Sequence, residues 1–391
     1  MTSNPNEELS RARTALRAAG CDFVLLSSLA NVTYVSGFVV PVPVGALAEL
    51  TYASPMALCG VSDSASWLIV GNANAATAES QSRLDEILPF DTFDSFNPTD
   101  SEASFLEMVR TALHSAGLAD SGGRLGVEAR TMPHAVSALL TTEFPKLKLL
   151  DVAGAMQEAR SIKTDREIAL LRRASHIVDI GHLTLAELVQ DAGRTEFEMW
   201  AEIRSRMNQA VGHEITVTGE LVTGPRSSTV AYPNGPHPRT TEPGDAALMD
   251  ISPRVDGYWS DCTNTHVIGG VEPTTAQRKY AKASQAACEA AMVALRPGNR
   301  ASDAWAAAEA AFQKHGLPTA HYAGHQIGVV VNELPRLVAY DHTPIEAGMV
   351  FSVEPGAYEG DGGTFGARSE KMVLVTPTGP EIWSQFEWGI E

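Results

Sequence analysis

Cysteine is scarce in this chain: four among 391 residues (Cys21, Cys59, Cys262 and Cys288), with no pair at CxxC spacing. That excludes a disulfide framework and a thiolate metal knuckle, and it reads as reduced thiols in a cytoplasmic protein. Basic residues are in deficit too. Lys and Arg total 29 against 47 Asp and Glu, a formal charge of -18. Such a surface repels nucleic acid and anionic membranes, which bind Lys/Arg patches. Long apolar runs are missing. The stretch MTSNPNEELSRA has no apolar leader core, and Phe38 to Leu50 is too short to span a bilayer and is broken by Pro41 and Pro43. No short-period repeat is visible, which excludes a solenoid.

What remains is a chain with 44% hydrophobic and 19% charged residues. It can bury a large core, and at this length two domains are the default expectation. Residues 1–157 alternate helical and extended patterns: a helix from Glu7 to Ala19 stopping at Gly20, strands at 22–26, 52–60, 66–71 and 124–128, and helices from Ala75 to Ile87 and from about Pro133. This predicts an α/β domain. The junction Ala159 to Asp165 is polar. Thr164 with Glu167, and Thr195 with Glu198, are capping boxes that open helices. Residues 158–391 form the second domain, in two halves of similar plan: helices, then strands that carry acids. Helices are expected at about 274–295 and 302–315 between them, separated by Arg296-Pro297-Gly298.

The acids point to chemistry. Ala246 to Asp250 and Asp256 to Asp261 each read as an extended run ending in an acid, with a turn over Pro253 to Gly257. A hairpin would bring Asp250 and Asp261 to one end of a sheet. His325 sits between Gly324 and Gly328, Glu354 ends a strand in Val353-Glu354-Pro355-Gly356, and Glu370 ends Gly366-Ala367-Arg368-Ser369-Glu370. Any one of these alone is more often a turn or cap residue. Together, four carboxylates and an imidazole suit divalent ions such as Mn, Co, Zn or Fe.

The Asp-x10-Asp hairpin, the GHxxG histidine, the EPG glutamate and the GxRxE glutamate resemble those of the creatinase/aminopeptidase P/prolidase superfamily of pita-bread metallohydrolases. Asn31-Val32-Thr33-Tyr34-Val35-Ser36-Gly37-Phe38 resembles a stretch of that family's N-terminal domain, and Arg160 to Thr164 its entry to the catalytic domain. The resemblance implies the two-domain branch: a creatinase-like α/β domain, then a pita-bread catalytic domain (α+β). It also implies a homodimer and two divalent metal ions. Asp250 would ligate one ion, Asp261 and Glu370 would bridge, and His325 and Glu354 would hold the second. Glu354 would be the general base, His321 would lie near the scissile amide, and Arg368 would support the acids.

The chain departs from the family pattern at three places. Asn332 stands where the family has a histidine; it can donate to an oxyanion but cannot carry a proton at neutral pH. Asn264 stands for an arginine. A histidine expected upstream of the first Asp is Pro233 here, leaving Tyr232 and His237 as substrate-binding candidates. The metal set is thus intact and the substrate shell is altered. The expected reaction is hydrolysis of a C–N amide in a short Xaa-Pro peptide. The alternative is a non-peptidase hydrolase of a small amide or cyclic compound, like ectoine hydrolases. A dimethylsulfoniopropionate lyase-like activity, or an inactive binding protein on the same scaffold, is further off.

Overall fold

The computed structural model describes residues 6–43, 53–62, 65–230 and 235–391. Tyr232 and Pro233, and most of the apolar stretch that ends at Leu50, lie outside the described residues. The chain divides into two compact units, Met1–Arg160 and Ser161–Glu391. The helix Ala153–Ser161 runs through the boundary expected at 157/158.

The first unit is built on a mixed six-stranded sheet. Strands β1 (Phe23–Leu26), β2 (Met56–Gly60), β3 (Ser66–Gly71), β4 (Glu86–Phe90), β5 (Gly123–Val127) and β6 (Leu147–Asp151) run in the order β4-β3-β2-β1-β5-β6. β1 to β3 are antiparallel neighbours, and the outer pairs are parallel. Leu25, Leu58, Ile69 and Leu125 pack with Phe105, Val109 and Leu140 from the covering helices. The helix expected from Ala75 to Ile87 is shorter, ending at Gln81. Ser82 turns extended and Ile87-Leu88 joins the sheet beside β3, because a short apolar run fits a strand as well as a helix. The stretch Asn31 to Ser36 lies in the helix Leu29–Ser36, and its polar groups are structural: Asn31 Nδ2 donates to buried Glu128 at 2.6 Å, and the Tyr34 hydroxyl to Ala159 O at 2.8 Å.

The second unit has two sheets and a small ribbon. β7 (Thr216–Thr223), β8 (Ala246–Val255), β9 (Tyr258–Trp259) and β10 (Cys262–Val267) form the first, with β8 central. Among β11 (Gly324–Gln326), β12 (Glu333–Arg336), β13 (Val350–Val353), β14 (Gly356–Tyr358), β15 (Gly366–Arg368), β16 (Lys371–Thr376) and β17 (Gly379–Ile382), the second sheet runs β12-β11-β13-β16-β17, and β14 pairs with β15. Both expected capping boxes open their helices, Asp165–Leu188 and Glu196–Val211. The helices Thr275–Ala294 and Ala301–Lys314 meet through small side chains, Ala283, Ala287 and Ala291 with Ala301, Ala304 and Ala308. Small contacts allow close packing, and the pair covers Phe351, Val353, Val373 and Val375 of the second sheet. Among the described residues, no helix is long and apolar enough to cross a membrane. All four cysteines are buried free thiols.

Behind the first sheet, His182 and His266 are buried. His182 Nε2 donates to Cys262 O at 3.0 Å, its Nδ1 has no partner, and its ring lies 4.2 Å from that of Phe386. Burial holds both imidazoles neutral, lowering His182 to about 3 and His266 to about 4. In the unfolded chain each takes a proton near its ordinary value of about 6.5. Stability is therefore insensitive to these groups above that value, and it falls below it as the unfolded state gains protons that the folded state refuses. Urea titrations at pH 7 and pH 5 are expected to differ by about 2 kcal/mol for each histidine. His182→Gln should flatten the slope by its share; an unchanged slope would rule out this assignment.

Candidate metal centre

Asp250 lies in the middle of β8, not at its end, because β8 continues through Pro253 to Val255. The turn is tighter than the sequence suggests. It consists of Asp256 and Gly257, both at positive φ, 50° and 88°, the pattern of a two-residue hairpin turn. Pairing then sets Thr263 opposite Asp250, so Asp261 at the head of β10 lies beside it. Ser252 Oγ donates to Asp261 Oδ1 at 2.7 Å and fixes that carboxylate.

The second sheet delivers the other ligands. Gly324 has φ 146°, and a Cβ there would meet Ser352 O at 2.2 Å, so only glycine lets β11 lie this close to β13. The His325 backbone is thereby set opposite Ser352. His325 Nδ1 donates to Gln326 O at 2.8 Å, which turns Nε2 toward the acids, 3.1 Å from Glu354 Oε1 and 3.7 Å from Asp261 Oδ2. The two halves are joined here by hydrogen bonds: Glu370 N to Thr263 O at 3.0 Å, Ser352 Oγ to Asp261 O at 2.9 Å, and Arg368 N to Thr265 Oγ1 at 3.1 Å.

Ligand atoms of Asp261, His325 and Glu370 lie within 4.8 Å of one another, as do those of Asp250, Glu354 and Glu370. Glu370 belongs to both sets, as a bridging ligand would. Among the described residues, three buried carboxylate oxygens of this cluster accept no hydrogen bond: Asp250 Oδ1, Glu354 Oε1 and Glu370 Oε1. Glu354 Oε1 has an ion-pair contact with His325 Nε2 as its one charged neighbour at hydrogen-bonding distance among the described residues. Unpaired buried carboxylate oxygens are costly, and a divalent cation among them satisfies all three. The residues therefore fit a metal ion. The electrostatics agree. Burial, then the charges of Asp261 and Glu354, raises Glu370 well above the usual carboxylate range, and burial with Asp261 does the same to Asp250. Burial opposes the charged form of His325, but Asp261 and Glu354 outweigh it and push it up to about 10. Burial likewise opposes ionised Glu354, yet His325 and Arg368 hold it below its ordinary value.

Arg368 is the hub of the support. Its Nε donates to Thr263 Oγ1 at 3.0 Å and its Nη1 to the Tyr358 hydroxyl at 3.0 Å. Its Nη2 reaches Asp250 Oδ2 at 2.8 Å and Glu220 Oε1. Glu220 faces Asp250 across β7 and β8. The sequence reading missed it, although an acid inside the apolar strand Glu220-Leu221-Val222 was a visible signal. Thr263 Oγ1 also donates to Glu370 Oε2 at 2.6 Å. Tyr322 and Tyr358 were missed too; both lie within four residues of a motif acid or histidine.

Val230, Asp250, Ser252, Asp261, His321, Tyr322, His325, Val331, Asn332, Glu354 and Arg368 line one cavity of about 340 Å³. His321 and Asn332 are thus at the site. Asn332 Oδ1 accepts from Arg336 Nε at 2.9 Å, which leaves its amide nitrogen as the free donor. His237 is exposed and outside this lining, and its backbone N–H donates to buried Glu196 at 2.7 Å. Asn264 is outside the lining as well. It donates to Glu387 O at 2.8 Å and accepts from Gly389 N at 3.1 Å, so this departure secures the C-terminal segment and does not reshape the cavity.

Residues 169–377 match the metallopeptidase family M24, and residues 8–162 match the creatinase/prolidase N-terminal domain. The chain belongs to metallopeptidase family M24. It is 33% identical over 258 residues to a probable dipeptidase PepE of Mycobacterium tuberculosis, 62% of this chain and 67% of that protein. It is 30% identical over 239 residues to a Xaa-Pro dipeptidase of Pyrococcus furiosus, 60% and 66% of the two chains. The prolidase of Pyrococcus horikoshii has the same fold, with TM-score 0.80 at 23% identity over 99% of this chain and 100% of that one. This M24 chain is a prolidase-like metallohydrolase with a creatinase-like first domain, and these relatives do not favour the small-amide or lyase-like alternatives.

Arg368→Met is expected to cost about 3–5 kcal/mol, because it leaves Glu220 and Asp250 buried without their cation. Chemical denaturation of the metal-free protein checks this, and a loss below about 1 kcal/mol would contradict the hub role.

Proposed function

We propose that this M24 enzyme hydrolyses the amide bond of a short peptide, with a dipeptide ending in proline as the default substrate, at a centre of two divalent ions. The observation that carries the reading is the set of three buried carboxylate oxygens that accept no hydrogen bond among the described residues, on Asp250, Glu354 and Glu370, clustered with His325 and Asp261 beside the cavity that all of these but Glu370 line. The dipeptidase names of the relatives support the substrate class. Asp250, Asp261, His325, Glu354 and Glu370 would hold the ions, with Glu370 shared. Oxygen ligands with one imidazole suit Mn, Fe, Co or Zn. When bound, such ions lower the pKa of a water and polarise a carbonyl.

The chain's own residues do the rest. Glu354 is kept ionised by His325 and Arg368, and it lines the cavity with a free oxygen. It takes the proton of the attacking water as that oxygen adds to the carbonyl carbon, then returns it to the leaving nitrogen as the C–N bond breaks. His325 and Asp261 are held in one orientation by Gln326 O and Ser252 Oγ, so no reorganisation is needed as charge moves. Arg336 is exposed, makes no ion pair among the described residues and is hydrogen-bonded through Nε to the cavity residue Asn332, so its terminal nitrogens would be the candidate partners of a peptide's C-terminal carboxylate.

Metal analysis with a Xaa-Pro dipeptide assay tests the reading. The purified chain should take up Mn, Co or Zn and cleave the dipeptide, and a chelator should abolish turnover. Asp261→Ala should lose both metal and activity, a fall of at least about 10³-fold. Full turnover by Asp261→Ala, or no metal uptake by the parent, would sink it.

A further inference from the structure

We propose that the Tyr322 hydroxyl donates a hydrogen bond to the oxygen of the carbonyl under attack, making Tyr322 a catalytic residue of this enzyme. The inference rests on the peptide-hydrolase reading above and deepens it. Tyr322 stands in the chain between His321 and the metal-site His325, with its ring 5.6 Å and 6.1 Å from theirs, and it lines the same cavity as Asp261 and Glu354. Its hydroxyl makes no hydrogen bond among the described residues. Tyr34, Tyr258 and Tyr358 each engage theirs, with Ala159 O, Glu167 and Arg368. A largely enclosed phenol ordinarily finds a partner, and what this one faces is the space where substrate sits.

Elimination points the same way. Arg368 has its donors on Thr263, Tyr358, Glu220 and Asp250. Ser252 donates to Asp261, and His325 to Gln326 O. His321, the obvious imidazole for the task, is committed at both nitrogens: Nδ1 donates to Tyr322 O at 2.8 Å, and Nε2 lies 3.3 Å from the Tyr358 hydroxyl. The Tyr358 oxygen accepts a hydrogen bond from Arg368, and its hydroxyl donates one to His321 Nε2, the unprotonated nitrogen. Among the described side chains of the lining, the uncommitted donors are the Tyr322 hydroxyl and the Asn332 amide. Asn332 is tied to Arg336, which is exposed at the rim, whereas Tyr322 is three residues from a ligand. A fixed neutral donor aimed at developing negative charge strengthens as the carbonyl becomes tetrahedral and needs no proton transfer. The water proton travels through Glu354 and the phenol keeps its own, so the step balances without Tyr322 ionising.

The test compares Tyr322→Phe with the parent, both full-length and metal-loaded. Metal content should be equal. kcat for a Xaa-Pro dipeptide should fall about 10²-fold with KM within about twofold. Affinity for a phosphinic dipeptide analogue, whose tetrahedral oxygens imitate the intermediate, should fall by a similar factor, while affinity for the product amino acids is unchanged. Equal phosphinate affinity in parent and variant overturns the role, and so does a parallel loss for phosphinate and products, which would mark Tyr322 as wall. A parent that binds the phosphinate yet cleaves no dipeptide fails the substrate reading, while the binding comparison still decides Tyr322. A parent that binds no phosphinate overturns both.

Discussion

Five carboxylates share one buried space in this protein, and its architecture follows from making that tolerable. Asp250, Asp261, Glu354, Glu370 and Glu220 converge on a single guanidinium, Arg368, and a single imidazole, His325. Two unit charges about 4 Å apart repel by roughly 4 kcal/mol at a protein-like dielectric. One arginine cannot offset this, and burial, with the neighbouring acid charges added, raises Asp250 and Glu370 above the usual carboxylate range. Cations between the acids remove it. The same excess charge that resists folding is what would draw divalent cations to this cluster, and metal affinity and stability would then be linked.

The backbone holds the acids where side chains alone would let them drift apart. Asp250 lies inside the central strand of one sheet, Asp261 directly precedes β10 beside it, Glu354 directly follows β13 and Glu370 directly precedes β16. Hydrogen bonds from Glu370 N to Thr263 O and from Ser352 Oγ to Asp261 O tie the halves at the level of the ligands. Behind His325, Lys163 is buried against Glu333 and Gln326 at 2.9 Å and 3.0 Å, which couples the start of the catalytic unit to the strand that carries the histidine. Side chains within a strand or directly beside its end, supported by a second layer of hydrogen bonds, are more sharply oriented than side chains on long loops.

The three departures from the family pattern separate by location. Asn332 lines the cavity and presents an amide donor. Asn264 serves the C-terminal segment, so an arginine replaced there says nothing about substrate. Pro233 lies outside the described residues, and His237 is exposed on the neighbouring loop. Of the three departures, Asn332 is the one that the described residues place at the cavity.

The sequence by itself determined the elements with strong local signals and singled out the five residues that the fold gathers as a candidate metal set. Capping boxes at Thr164 and Thr195 depend on residues three apart, and the Asp-x10-Asp spacing closes a hairpin; both are short-range constraints that a linear reading can see. It erred where local patterns are degenerate, as at Ile87-Leu88, where a short apolar run joined a sheet, and at Pro253, where the strand ran on past the expected turn. Only the tertiary structure decided the support. Glu220 meets Arg368 across 148 positions, His321 Nε2 meets the Tyr358 hydroxyl across 37, and the Tyr322 hydroxyl makes no hydrogen bond among the described residues. Which donors are used up and which face the substrate is a property of three-dimensional packing, since each hydrogen bond depends on a partner that the folded chain brings near and the sequence does not name.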